Sequence, residues 1–151
     1  MEIIPSGVRK IVLSEELRKF EDILKSLKNA LVRYLEREKN KNKKKMIEEF
    51  LDKIVIYSNF HRSFLTSFIK TGSESDKINA SESLNDLLHV LHELENEALR
   101  IDDRNLYEMM KKFEMLFFEY DFSLHKCFKE LKGIKKKIDA DAVFGKGDKQ
   151  K

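Results

Sequence analysis

The chain has little of what loops, sheets and disulfide frameworks require. Its 151 residues include five glycines, one proline, one cysteine and no tryptophan. Few glycines and prolines argue against sandwiches and barrels, which need many turns, and favour long helices. The single cysteine, Cys127, excludes an internal disulfide and predicts a reducing compartment, most simply the cytoplasm.

Long apolar runs are also absent. Uninterrupted apolar stretches are only a few residues long, so we predict no segment that spans a membrane, and Pro5 interrupts the N-terminal residues before they could form a signal peptide. The net charge is a mild +3, but lysines concentrate around residues 39–45 and 132–137. Such clusters can bind nucleic acid. These clusters contain almost no arginine and no interleaved aromatic residues, however, which favours lysines that are simply solvated.

Apolar residues recur at three- and four-residue steps in four segments, which is the pattern of amphipathic helices. The predicted helices cover about Ser14–Lys39, Lys45–Lys70, Ile78–Ile101 and Asn105–Leu131, the last with an extension to Ile138. Short polar breaks separate them, which is typical of neighbours that run in opposite directions. The sequence therefore predicts an all-α, antiparallel up-down-up-down four-helix bundle over residues 14–138.

Two terminal segments lie outside this predicted bundle. Residues 1–13 are apolar in part, and we predict an N-terminal arm that is extended or forms a short strand, packed across one end of the bundle. Residues 139–151 are mostly charged and small, so we predict a flexible, basic, disordered tail.

The fourth predicted helix is apolar on more sides than one buried face needs. At about 100° per residue, one stripe centred on Phe113 holds the expected core residues: Leu106, Met109, Met110, Leu116, Phe117, Tyr120, Leu124, Cys127, Phe128 and Leu131. On the opposite side lies an outer stripe, defined as Tyr107, Met115, Phe118 and Phe122. Such a face is covered by the arm, contacts a partner protein or a second copy, or carries scattered aromatics without a role.

Two polar residues fall on predicted core faces. His61 shares the apolar face of the second helix, and Glu95 shares that of the third. A histidine there is more often a hydrogen-bonded core residue than a ligand, and a buried carboxylate needs a partner. We therefore predict a buried His61–Glu95 pair, with Glu95 bound to a lysine or tyrosine at the bundle edge as the alternative.

His89 and His92 lie on or beside the polar side of the third predicted helix, with Asp86 and Glu93 nearby. Imidazoles and carboxylates at helical spacing can bind zinc or iron. These residues point outward, however, and the chain has no Glu-x-x-His sequence of the kind that di-iron bundles use. The sequence therefore predicts no metal and no cofactor.

The sequence His92-Glu93-x-x-Asn96 resembles the phosphoacceptor helix of sensor histidine kinases, in which an acidic residue follows the histidine and a polar residue lies one turn on. The chain departs from that pattern at residues 97–99, where the family has proline and small residues. The resemblance implies a phosphotransfer bundle with His92 or His89 as the phosphoacceptor. The absence of a glycine-rich nucleotide motif excludes autophosphorylation.

Motifs for nucleophilic catalysis, phosphate-binding loops and zinc proteases are absent from the chain. We therefore predict a non-enzymatic protein, an adaptor, chaperone-like or self-associating, that binds another protein or itself as a homodimer through the outer stripe. In size and composition it is similar to small helical export chaperones and flagellar accessory proteins. The alternatives are histidine phosphotransfer and weak nucleic-acid binding through the lysine clusters.

Overall fold

The structure is a computed structural model that describes residues 6–149 of the chain, and the side chains of residues 6–141. Four helices account for nearly all of this region, and it contains no strand. Their bounds are α1 Ser6–Arg37, α2 Lys41–Thr71, α3 Glu74–Arg100 and α4 Arg104–Lys149. The predicted all-α four-helix bundle is thus confirmed.

Each helix packs against two neighbours around one core. α1 contacts α2 and α4, and α3 contacts the same two helices. Hydrogen bonds join the start of α1 to the end of α2, through Arg9 and the carbonyl of Ile69. At the other end of the bundle, the Tyr34 hydroxyl near the end of α1 donates to Asp103 just before α4. These contacts agree with neighbours that run in opposite directions.

Short breaks with specific capping groups separate the helices. Asn40 caps α2 by accepting from the backbone N–H groups of Asn42 and Lys43. Gly72 ends α2 in the left-handed conformation, with φ 69°, and its N–H donates to the Phe68 carbonyl at 2.8 Å. The sequence predicted the break at Gly72, but the predicted loop at residues 40–45 is shorter, because the Asn40 cap starts α2 at Lys41.

The predicted N-terminal arm is wrong for residues 6–13, because these residues form the first two turns of α1. Leu13 is fully buried, and Val8 and Val12 pack against the core. Arg9 is also buried and donates to the carbonyls of Ile69 and Lys70 in the last turn of α2, where helix carbonyls lack partners within the helix. Residues 1–5 lie outside the described part of the chain.

α4 is longer than predicted. It continues through residues 139–149, where a disordered tail was predicted, and residues 150–151 lie outside the described residues. Among the side chains that the structure describes on α4, Leu131 is the last buried one, and residues 136–141 are exposed. Since the segment after Leu131 contains no proline, no residue forces the helix to stop there.

Asp103 joins three helices at one end of the bundle. One carboxylate oxygen accepts from the Leu106 N–H at 3.0 Å and caps α4, and the other accepts from Tyr34 and Lys43. Burial alone would raise the pKa of Asp103, but hydrogen bonds from Lys43, Tyr34 and Leu106 outweigh it and lower that pKa. Burial and the neighbouring Asp103 raise the pKa of Tyr34 to about 12, so Tyr34 remains a donor.

Asp103→Ala is expected to lower the free energy of unfolding by about 2 kcal/mol, because it removes a helix cap and the acceptor of two further groups. Urea denaturation measures the change. Asp102→Asn is the matched control, since Asp102 is exposed and asparagine tolerates its left-handed backbone, with φ 56°. Equal stability of the two variants would contradict the role given to Asp103.

Candidate functional sites on the third and fourth helices

Three large apolar side chains are exposed on consecutive turns of α4. Met115, Phe118 and Phe122 are 55%, 50% and 76% exposed, and we call them the exposed stripe. Their spacing places them on one side of the helix, opposite the core residue Phe113. Tyr107, which the sequence placed in the same stripe, is partly buried and packs against the core. That part of the prediction is corrected.

Residues 6–13 do not cover the exposed stripe. Residues 6–13 continue α1, and Arg9 ties that part of the helix to the end of α2. The proposed cover of α4 by this segment is therefore wrong for residues 6–13, and residues 1–5 lie outside the described residues.

Other exposed apolar side chains are distributed over the remaining helices. Ile56 and Phe60 form a pair one turn apart on α2, each about half-exposed, whereas Ile11, Val32, Ile78 and Leu99 stand on other helices or turns. Single exposed apolar residues are normal on a soluble protein. Ile56 and Phe60 therefore serve as a natural comparison for the exposed stripe.

A second cluster lies between α3 and α4, next to the exposed stripe. Glu95 and Glu114 are buried, at 2% and 5% exposure, although both are acidic. On one side, His92 Nδ1 lies 3.4 Å from Glu114 Oε2 and 3.9 Å from Glu95 Oε2. On the other side, Lys111 Nζ lies 3.6 Å from Glu95 Oε1 and 3.8 Å from Glu114 Oε1. We call these four residues the carboxylate cluster.

The carboxylate cluster has two buried acidic groups and only one lysine beside them. Burial raises the pKa of Glu95, the adjacent Glu114 carboxylate raises it further, and Lys111 opposes both effects. The Glu95 Oε2 atom is buried and has no hydrogen-bond partner among the described residues. Burying a carboxylate oxygen without a hydrogen-bond donor costs free energy. Glu95 Oε2 is therefore the atom at which the cluster could accept a cation or a further hydrogen bond.

The predicted His61–Glu95 pair is wrong. His61 is fully buried, with Nδ1 2.7 Å from the Ala80 carbonyl and Nε2 2.7 Å from the Tyr120 hydroxyl. Since a carbonyl only accepts, Nδ1 carries the proton, and Tyr120 donates to Nε2. The alternative for Glu95, a lysine at the bundle edge, is the arrangement observed with Lys111. Burial lowers the pKa of His61 to about 4, so His61 is neutral at pH 7.

The histidines that the sequence offered as phosphoacceptors lie apart. His89 is exposed and contacts Glu93 at 2.9 Å within α3, whereas His92 turns towards the carboxylate cluster. The outward-facing residues Asp86, His89 and Glu93 do not belong to the carboxylate cluster. Its two buried carboxylates are Glu95 on α3 and Glu114 on α4. The phosphoacceptor interpretation of His92 or His89 stays a prediction.

Two members of the carboxylate cluster, Lys111 and Glu114, were not predicted. Glu114 lies about 100° around α4 from Phe113, a position where a glutamate normally reaches solvent. It is buried because α3 packs against that side of α4. The sequence signal that pointed to this place was Glu95, an acidic residue in the apolar register of α3.

Cys127 and Lys43 both interact with other residues of the bundle. Burial and the nearby Glu16 raise the pKa of the Cys127 thiol to about 11, so the thiol is protonated and weakly nucleophilic at pH 7.

Lys43, in the first lysine cluster, contacts Asp103 at 2.8 Å and Glu38 at 3.5 Å. Lys43 is therefore engaged within the bundle, and nucleic-acid binding by the lysine clusters stays a prediction.

Comparison with known proteins finds no matching family model, no matching curated protein and no matching solved structure. Within residues 6–149, none of the helices combines the length and the apolar character that crossing a membrane would require.

Proposed function

We propose that this protein is a non-enzymatic helical bundle that binds an amphipathic helix of another protein along the exposed stripe. The observation that supports the proposal is the spacing of Met115, Phe118 and Phe122, which matches the i, i+3, i+7 contacts of helix-in-groove recognition. Methionine and phenylalanine are well suited to adaptable apolar contacts. Three side chains form a small contact surface, so we expect a weak and reversible complex.

Charge next to the exposed stripe indicates the chemistry of the partner. The segment of α4 that follows Phe122 is basic: between residues 126 and 138 it has one acidic residue, Glu130, and six lysines, namely Lys126, Lys129, Lys132, Lys135, Lys136 and Lys137. Complementary charge steers association and sets orientation. The partner helix is therefore one with acidic residues beyond one end of its apolar stripe.

The same charges disfavour a second copy of this chain as the occupant. If two α4 helices paired in opposite directions about Phe118, Lys126 of one copy would lie near Lys111 of the other and Lys129 near Glu108, so this arrangement has no net charge complementarity. If they paired in the same direction, the two basic segments would lie side by side. Like charges across an interface weaken the complex, so the homodimer is the alternative outcome of the test.

The test uses a synthetic amphipathic peptide with leucines at i, i+3 and i+7 and glutamates beyond its apolar stripe. Fluorescence anisotropy is expected to show binding that weakens with salt, and weaker binding of the same peptide with lysines in place of the glutamates. Phe118→Glu combined with Phe122→Glu is expected to reduce the affinity by more than about tenfold, since buried aromatic anchors dominate such contacts.

Ile56→Glu combined with Phe60→Glu is the matched control, because it places the same charges on another exposed apolar pair, one turn apart on α2. This control is expected to bind the peptide as the wild type does. Equal binding by the Phe118/Phe122 variant would overturn the proposal. Light scattering is expected to show a monomer, and a dimer that the Phe118/Phe122 variant abolishes would replace the foreign helix by a second copy.

We also propose a reducing compartment such as the cytoplasm as the site of action. The support is chemical: the only thiol, on Cys127, is half-buried and protonated, and it has no disulfide partner in the chain.

A further inference from the structure

We propose that His92, Glu95 and Glu114 bind a divalent transition-metal ion, with Zn²⁺ as the best match, between α3 and α4. One donor atom of each residue lies within 4.8 Å of the donor atoms of the other two. The site is distinct from the exposed stripe and does not depend on the function proposed for that surface. It shares His92 with the group of ligands considered from the sequence, but its carboxylates are Glu95 and Glu114 instead of Asp86 and Glu93.

Distances between the donor atoms fit a small tetrahedral ion. Zinc bonds of about 2.0–2.2 Å at tetrahedral angles place neighbouring donors about 3.3–3.6 Å apart. His92 Nδ1 lies 3.4 Å from Glu114 Oε2, within that range, and 3.9 Å from Glu95 Oε2, slightly beyond it. Small side-chain rotations would bring all three atoms onto one ion. His92 is more than half-exposed, so the fourth position is open to water.

The unpartnered oxygen points to a ligand independently of the cluster itself. Glu95 Oε2 is buried and lacks a hydrogen-bond donor, and it is the oxygen of Glu95 that faces His92. Lys111 contacts the Oε1 atoms of both glutamates, on the opposite side. The lysine therefore neutralises part of the negative charge and leaves the two Oε2 atoms and the imidazole facing one another.

The donor set selects among metals. One imidazole and two carboxylates suit zinc and its first-row neighbours, whereas Mg²⁺ and Ca²⁺ prefer sites made of oxygen alone. Two carboxylates and one lysine sum to a single negative charge, which attracts a cation to the cluster. An ion would also connect α3 to α4 through groups from both helices.

Isothermal titration calorimetry with zinc chloride alone tests this proposal on the full chain. We expect one zinc ion per chain and no heat with magnesium chloride. His92→Ala and Glu95→Gln are each expected to weaken zinc binding by at least about tenfold, as the loss of a ligand requires. Co²⁺ in place of zinc is expected to give the visible absorption bands of tetrahedral coordination, which both variants lose.

Lys111→Met separates a metal site from a purely structural polar cluster. Because the lysine charge repels the ion from a few ångströms away, its removal is expected to tighten zinc binding by about fivefold. If the cluster served only for stability, this variant would unfold more easily and zinc would not bind. Circular dichroism on every variant confirms that the helices are intact.

His89→Ala combined with Glu93→Gln is the matched control, since it removes a histidine–carboxylate pair of 2.9 Å from the exposed side of the same helix. This control is expected to bind zinc as the wild type does. The proposal is overturned if the wild-type chain gives no zinc heat at millimolar concentration. It is also overturned if His92→Ala and Glu95→Gln bind as tightly as wild type, since the ion would then sit elsewhere.

Discussion

Phe20→Ala is expected to lower the free energy of unfolding by about 3–5 kcal/mol, the usual range for truncating a buried phenylalanine. Phe20 is fully buried in α1 and stands at the centre of an aromatic group from three helices. Its ring lies 4.6 Å from His61, 5.2 Å from Tyr120 and 5.7 Å from Phe117, measured between centroids. Truncation would leave a cavity against side chains that α2 and α4 hold in place.

Urea denaturation at neutral pH measures this effect, and Phe60→Ala is the comparison. Phe60 is half-exposed on α2 and contacts one other ring, that of Phe64. We expect its truncation to change stability by less than about 1 kcal/mol, as is usual for surface positions. A loss at Phe20 as small as the loss at Phe60 would contradict the packing described for this core.

Acidification from about pH 6.5 to pH 4.5 is expected to remove about 2–3 kcal/mol of stability through His61 alone. Burial and the nearby Arg62 lower the pKa of His61 to about 4, against the opposing effect of the hydrogen bond to Ala80. In the unfolded chain the ordinary pKa is 6.5. Between these two values the unfolded state binds a proton that the folded state rejects, so stability falls as the pH falls.

His61→Gln isolates this effect from the titration of the many carboxylates. The variant is expected to be less stable than wild type at pH 7, because it disturbs the hydrogen bonds to Ala80 and Tyr120. It is also expected to lose less stability on acidification, so that the two curves converge by pH 4.5. His89→Gln should keep the wild-type slope, since His89 is exposed. Parallel curves for wild type and His61→Gln would disprove the buried neutral state.

The number and order of the helices could be predicted because apolar residues recur with helical spacing and the breaks are chemically distinct. Gly72 is the clearest case, since the left-handed turn after α2 needs glycine and a polar run follows. The start of α1 could not be predicted in the same way. Ser14 with Glu15 and Glu16 has the appearance of a helix start, although all three lie inside α1.

Buried charged residues explain that error. Arg9 occupies a core position of α1, and its acceptors are backbone carbonyls 60 and 61 residues later in the chain. A charged residue in an apolar register weakens the periodic signal, and only the folded arrangement provides its partners. The same reason applies to the far end of α4, where charged residues continue a helix that apolar periodicity no longer marks.

In the candidate sites, too, features of a single helix could be predicted and contacts between helices could not. Exposure of Phe118 and Phe122 could be predicted because one helix and its core stripe decide it. Partners across helices could not, since they depend on the register between helices. His61 and Glu95 were both predicted as buried, yet the bundle places His61 against Tyr120 and Glu95 against Glu114.

Arg9 and Gly72 each restrict the substitutions that the other position tolerates. A Cβ atom on residue 72 would lie 2.7 Å from Arg9 Nη1, so any side chain there would push the guanidinium away from the end of α2. Replacing the glycine would therefore displace the end of the Arg9 side chain from the carbonyls of Ile69 and Lys70. A lineage that replaces the arginine gains little freedom at position 72, because the left-handed backbone still favours glycine. Gly72 is thus constrained twice, by its own backbone and by the Arg9 side chain.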